Sequence, residues 1–151
     1  MLKYFAFLAI VFYGGALYAA ESINGLWTTI DDETNTPKSV VQIYDYQGKT
    51  YGRVVKLFKN PDKTAKNVAG SPRISGLDII WELQDEGDRY RGGKILDPVK
   101  GKVYRCEAWK EDGNLILRGK IGPFGRNQTW LPNNESELAV ANPVPRIPEM
   151  E

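Results

Sequence analysis

Between residues 24 and 131 the chain alternates apolar and polar positions in short runs, each ended by Gly, Pro, Asp or Asn. The runs are 24–30, 39–46, 50–58, 77–84, 89–96, 102–110, 114–121 and 126–131. A period of two sends successive side chains to opposite faces of a sheet, so each run predicts a half-buried strand. No segment sustains an apolar period of about 3.6, so helices are expected to be short or absent. The connections Tyr46-Gln47-Gly48-Lys49, Asp85-Glu86-Gly87-Asp88, Asp97-Pro98-Val99-Lys100-Gly101 and Glu111-Asp112-Gly113-Asn114 carry hairpin chemistry, with glycine available for positive φ. Consecutive hairpins predict an up-and-down antiparallel meander. A small all-β chain has to hide its strand edges, and closing the sheet removes them. The expected fold is therefore an antiparallel β-barrel of about eight strands, whose interior holds side chains or one small ligand.

The segments outside the runs divide the chain. Met1-Leu2-Lys3 carries one positive charge, residues 4–13 are uncharged and apolar, and Leu17-Tyr18-Ala19-Ala20 ends in small residues. That order is the plan of a secretory signal peptide over 1–20, and its apolar core is shorter than the roughly 20 residues of a membrane span. Cleavage after Ala19 or Ala20 is expected, with the mature protein periplasmic or secreted and free of a membrane anchor. The barrel domain is expected over 21–132. The connection 59–73 is long, polar and basic; it is either a lid over a barrel mouth or a plain flexible loop. Pro132 lacks the N–H a strand ladder needs, and a Pro-bearing acidic tail follows over 133–151, expected to be disordered or draped on the surface.

Charge and composition narrow the function. The full chain has 20 Lys plus Arg against 19 Asp plus Glu, and losing Lys3 with the leader brings the formal charge to zero. Nothing in that balance steers the protein to nucleic acid or to anionic lipid. The sequence has no histidine, which removes the usual general base and the commonest metal ligand. Cys106 is the sole cysteine, so no disulfide framework exists, and its place in a strand-like run reads as a small buried hydrophobe. Asp31, Asp32 and Glu33 lack the spacing of a calcium loop and read as a solvated turn. No cofactor, metal site or catalytic constellation is expected, and the chain is not read as an enzyme.

Three blocks carry a resemblance. The first is Gly25-Leu26-Trp27-Thr28-Thr29-Ile30-Asp31-Asp32 with Pro37-Lys38-Ser39-Val40-Val41-Gln42-Ile43-Tyr44, and the second is Gly48-Lys49-Thr50-Tyr51-Gly52-Arg53-Val54-Val55. The third joins Gly92-Gly93-Lys94-Ile95-Leu96-Asp97-Pro98, Gly101-Lys102-Val103-Tyr104, Leu117-Arg118-Gly119-Lys120-Ile121-Gly122 and Gly125-Arg126 to Trp130. Together they resemble the secreted bacterial family known as domain of unknown function 2147 (DUF2147), over nearly the whole mature domain. The resemblance implies a lipocalin-like barrel in the bacterial envelope, with no established enzymatic activity and no ligand or catalytic residue to transfer. Gly-x-Trp at the first strand is similar to the lipocalin opening, in which the tryptophan plugs one barrel end. An arginine of the last strand lies across the ring in that fold. By location the pair here is Trp27 and Arg126, a structural cation–π contact of about 0.5–2 kcal/mol.

The residues of a binding site follow from strand parity. Arg53 shares a face with Tyr51, Val55 and Leu57, and a buried guanidinium needs an acidic partner, a path to solvent or an anionic ligand. Either that face points to solvent, or Arg53 and Tyr51 hold the polar end of a ligand. Tyr104 and Leu117, with Trp81 and Tyr90 as aromatic walls, are candidates to line a cavity or simply to fill the core. The expected function is non-enzymatic binding of a small apolar or amphipathic molecule. The alternative is an envelope protein-interaction module, an inhibitor or scaffold acting through its loops. Ligand identity and oligomeric state are not legible in the sequence.

Overall fold

The structure, a computed structural model, describes residues 19–151, so the expected leader lies outside the described residues except for Ala19 and Ala20. Eight strands follow in order: β1 (Gly25–Ile30), β2 (Pro37–Tyr46), β3 (Lys49–Leu57), β4 (Asp78–Asp85), β5 (Tyr90–Asp97), β6 (Lys102–Glu111), β7 (Asn114–Ile121) and β8 (Phe124–Pro132). Each pairs antiparallel with the next, and β1 closes on β8, so the sheet is a closed up-and-down barrel. The closing seam is short, limited to Trp27 opposite Pro132 and Thr28 opposite Leu131.

The hairpin chemistry explains the register. Gln47 and Gly48 take φ of 47° and 79°, and Asp112 and Gly113 take 52° and 78°. Two consecutive positive φ values make the turn whose twist matches its flanking strands, which fixes β2 against β3 and β6 against β7. Strand parity then sorts the side chains. Trp27, Val41, Val54, Ile43, Gly52, Ile80 and Ile95 follow one another across β1 to β5 in register, on the lumen side. Tyr90, Ala108 and Leu117, and Gly93, Cys106 and Gly119, continue that layer across β5, β6 and β7.

One sector of the wall is buried on both faces. Gln42, Tyr44, Tyr51 and Arg53 alternate with lumen residues yet are themselves buried, because the C-terminal segment covers them. That segment departs from the expectation of disorder. Gln42 holds Val140 from both sides, its amide donating to the Val140 carbonyl at 3.0 Å and accepting from the Val140 N–H at 2.8 Å. Farther on, the Ala69 N–H donates to the Glu149 carbonyl and the Glu151 N–H donates to the Asn67 carbonyl. The tail over 139–151 is thus a strap laid from β2 to the 58–77 connection. Composition pointed to disorder because the strap buries few apolar groups of its own. It is held instead through its main chain, which composition does not report.

The 58–77 connection is neither a free lid nor a plain flexible loop. Ala65, Val68, Ile74 and Leu77 are buried in the main core cluster. The Lys66 N–H donates to the Pro98 carbonyl at 2.9 Å, tying the connection to the β5–β6 turn.

Candidate functional site

Three glycines facing the lumen gauge how full the barrel is. A Cβ on Gly52 would stand 2.9 Å from Ile43 Cδ1 and 3.1 Å from Ile80 Cβ. On Gly93 it would stand 2.7 Å from Leu83 Cγ and 2.8 Å from the Trp81 carbonyl oxygen. At both positions the crowding comes from neighbours on the adjoining strands, and glycine is there because nothing larger fits. On Gly119 the nearest atom would be Tyr104 Cβ at 3.7 Å, and Ile95 Cγ2 stands 4.0 Å away. Gly119, Tyr104 and Ile95 are all half-buried, at the end where β7 turns into β8. Space for a side chain is therefore absent at Gly52 and Gly93 and present at Gly119, at the end where the 58–77 connection is tied to the β5–β6 turn.

The mouth mixes apolar and cationic groups. Arg126 lies opposite Gly119 in the β7–β8 register and is 69% exposed along its side chain. Its Nη2 is 2.9 Å from Asp32 Oδ2, a surface ion pair worth about 0–1 kcal/mol. Ile121 and Phe124, paired across the hairpin, are exposed at its tip.

At the other end Trp27 is 4% exposed, and its indole N–H donates to the Ile23 carbonyl at 2.8 Å. The cation over its ring is not Arg126. Trp27 pairs with Pro132, and Arg126 is six residues back along β8, about 20 Å away at roughly 3.3 Å per residue. Lys110 takes the position instead, with Nζ 5.9 Å from the ring centroid. Matching by location on the last strand failed because the seam places only the final residues of β8 beside β1.

The structure does not bring Tyr51, Arg53, Trp81, Tyr90, Tyr104 and Leu117 together into one pocket. Tyr90 and Leu117 flank Ala108 in register within the packed lumen, and burial raises the pKa of the Tyr90 phenol. Trp81 pairs with exposed Lys94, on the outward parity, yet is buried. Tyr104 alone stands at the mouth.

Tyr51 and Arg53 face away from the lumen, beneath the strap. Arg53 Nε is 3.2 Å from Asp78 Oδ1, both side chains being nearly inaccessible, and its Nη2 donates to the Val144 carbonyl. Asp78 also accepts from Tyr44 Oη at 2.8 Å and from the Arg146 N–H. Tyr44 and Tyr51 stack with centroids 5.9 Å apart. Burial, then the hydrogen bond to Asp78, pushes the Tyr44 phenol far above its ordinary range. The acidic partner that Arg53 needed is thus Asp78, and these groups fasten the strap. Sequence reading passed over Asp78, although a lone acid in the apolar run Leu77-Asp78-Ile79-Ile80-Trp81 was the available signal.

Cys106 is fully buried, and burial together with the Glu107 charge drives its thiol pKa well above the ordinary range, so it stays protonated. Among the described residues no group of three or more Cys, Asp or Glu side chains gathers as a metal site. Two concavities lie outside the lumen. One, of about 560 Å³, runs between β2 and the strap beside Gln42, Tyr46, Val140 and Pro143, and the other, of about 170 Å³, lies beside Ala20, Arg89, Trp109 and Lys110.

A closed eight-stranded up-and-down antiparallel barrel is a lipocalin-like fold. The structure of "Protein HP1028 from the human pathogen Helicobacter pylori", described as belonging to the lipocalin family, is similar to it. The TM-score is 0.67 at 20% identity, over 78% of this chain and 86% of that one, a likeness of fold alone. The chain belongs to the family described as "Uncharacterized protein conserved in bacteria (DUF2147)", which matches residues 25–131. No curated protein matches the sequence.

Proposed function

We propose that this protein is an exported, non-enzymatic binder of a small amphipathic molecule, held at the mouth formed by Gly119, Tyr104 and Ile95. The observation that carries the reading is the contrast among the lumen glycines, tight at Gly52 and Gly93 and open at Gly119. An apolar chain laid against Tyr104 and Ile95 gains about 25 cal/mol for each Å² it buries. Arg126, opposite Gly119, supplies the polar end: its exposed pair with Asp32 is weak enough to exchange for a ligand carboxylate. The lipocalin-like fold supports this class of ligand. The signal-peptide pattern over 1–20 supports a periplasmic or secreted address.

Titration with a fluorescent fatty acid tests the reading. Saturable binding is expected, lost in Gly119→Phe, which fills the mouth, and weakened about tenfold in Arg126→Ala, the loss of one charge-assisted contact. Equal affinity in Gly119→Phe and the unaltered protein rules the mouth out.

The concavity between β2 and the strap favours a second reading, a module that takes an extended peptide beside the strap. Its groups, such as Gln42 and Asp45, address main chain and polar surface rather than an apolar ligand. A Gln42→Ala variant that loses a protein partner but keeps the fluorescent lipid decides for that reading.

A further inference from the structure

The β7–β8 hairpin and the wall beside it bring two features together. The hairpin tip exposes two large apolar side chains, Ile121 at 60% and Phe124 at 78%. They pair with each other across the turn Gly122-Pro123, on the parity of the lumen mouth. The outward face of the wall from β5 to β7, beside this hairpin, is cationic. Lys94, Arg105 and Lys120 stand directly opposite one another across β5, β6 and β7. Like charges in direct cross-strand register are destabilising unless something of opposite sign answers them.

The answer available within the chain is small. Glu107, next along β6, is shared by Lys120 at 2.5 Å, Arg89 at 3.4 Å and Arg91 at 3.4 Å. Arg89 and Arg91 have Asp88 as well, and Arg91 also has Glu86, but among the described residues no carboxylate pairs with Lys94, Arg105 or Arg118. Two of the cations are also aimed at the tip: Arg105 Nη2 donates to the Gly122 carbonyl at 2.9 Å. Arg118 lies against the backbone at Gly125, where an added Cβ would stand 2.5 Å from its Cζ. A zero formal charge over the mature chain conceals this local excess.

We infer that the β7–β8 tip docks the barrel mouth onto an anionic phospholipid surface. Ile121 and Phe124 enter the boundary between headgroups and acyl chains, and Arg105, Arg118 and Lys120 contact the phosphates. An apolar tip flanked by cations is what an interface of anionic heads over hydrocarbon complements. The inference goes beyond ligand binding and does not need the mouth to be occupied. It would place the mouth at the source of an amphipathic ligand.

The test is co-sedimentation of the chain beginning at Ala20, which holds the whole closed barrel and the strap, with phosphatidylcholine vesicles with and without phosphatidylglycerol. Binding to the phosphatidylglycerol vesicles at low salt is expected, with release as salt rises. Phe124→Ser should weaken partition about tenfold, the loss of one inserted aromatic side chain. The triple variant Arg105→Gln, Arg118→Gln, Lys120→Gln should lose the preference for phosphatidylglycerol. Since Phe124 is mostly exposed, its replacement leaves the fold intact, checked by an unchanged melting temperature. Failure of the unaltered chain to sediment with anionic vesicles overturns the inference, as does tight binding by Phe124→Ser or a preference retained by the triple variant. No fatty acid is added and the readout is sedimentation with vesicles, so failure here leaves the fluorescent fatty acid result to stand or fall separately.

Discussion

Arg53 shows how far one residue can be read from sequence. Its parity and its need for a counter-charge were legible from Tyr51-Gly52-Arg53-Val54. Which side of the sheet it faces was not, because alternation is the same whether a face meets the lumen or the strap. Its partner Asp78 is 25 residues away in sequence. Asp78→Ala strands a buried guanidinium and is expected to cost about 3–5 kcal/mol in urea denaturation. A cost below about 1 kcal/mol, the value of an exposed pair, contradicts the clamp.

The lumen glycines make a second prediction at this scale. Gly52→Ala and Gly93→Ala should each destabilise by about 1–3 kcal/mol, since the new methyl meets packed atoms, whereas Gly119→Ala should change stability by less than about 0.5 kcal/mol. Equal costs at the three sites contradict a lumen that loosens toward the mouth.

Acid sensitivity also belongs to single residues. The Arg91 hydrogen bond holds Asp88 down at about 2, against an ordinary 3.8. At Glu107 burial pushes the carboxyl up, but the Lys120 hydrogen bond and the charges of Lys120, Arg91 and Arg89 outweigh it, and the net direction is down. A carboxyl depressed by folding stabilises above its ordinary pKa, and that contribution disappears as pH falls through the folded value. Stability should therefore decline below about pH 4.5, and Glu107→Gln should flatten the slope. An unchanged slope in Glu107→Gln measured by urea denaturation from pH 3 to 6 goes against this assignment.

At the scale of elements, all eight strands were legible, because period-two runs ended by Gln47-Gly48 or Asp112-Gly113 leave little freedom of register. The strap was not. Its prolines and acids read as a segment that buries too little to order, and its hold comes from main-chain bonds to Gln42, Arg53 and Asp78. The 58–77 connection escaped for the complementary reason: Ala65, Val68 and Ile74 are apolar but too scattered to announce packing.

Coupling between strap and wall can be measured. Ending the chain after Leu138 uncovers Arg53 and Asp78 to water. The Asp78→Ala penalty should then shrink from several kcal/mol to under about 1 kcal/mol. An unchanged penalty in the shortened chain means the strap does not bury the pair.

For the whole molecule, composition gave neutrality and closure gave shape, but neither located the mouth. That needed the relative packing at Gly52, Gly93 and Gly119, which depends on which side chains the neighbouring strands bring beside each. The same geometry separates two ends: Trp27 and Lys110 lie at one, while Tyr104, Arg126 and the Ile121–Phe124 tip lie at the other, where Lys66 also ties the 58–77 connection to Pro98. In the proposed function the ligand enters at the second of these ends.

The most direct measurement is native mass spectrometry of the protein purified from the compartment it occupies, alongside Gly119→Phe prepared the same way. The account predicts a bound small amphipathic molecule on the unaltered protein, released on activation and missing from the variant. Identical bound masses on both proteins, or a bare protein that also refuses the fluorescent fatty acid, would contradict it.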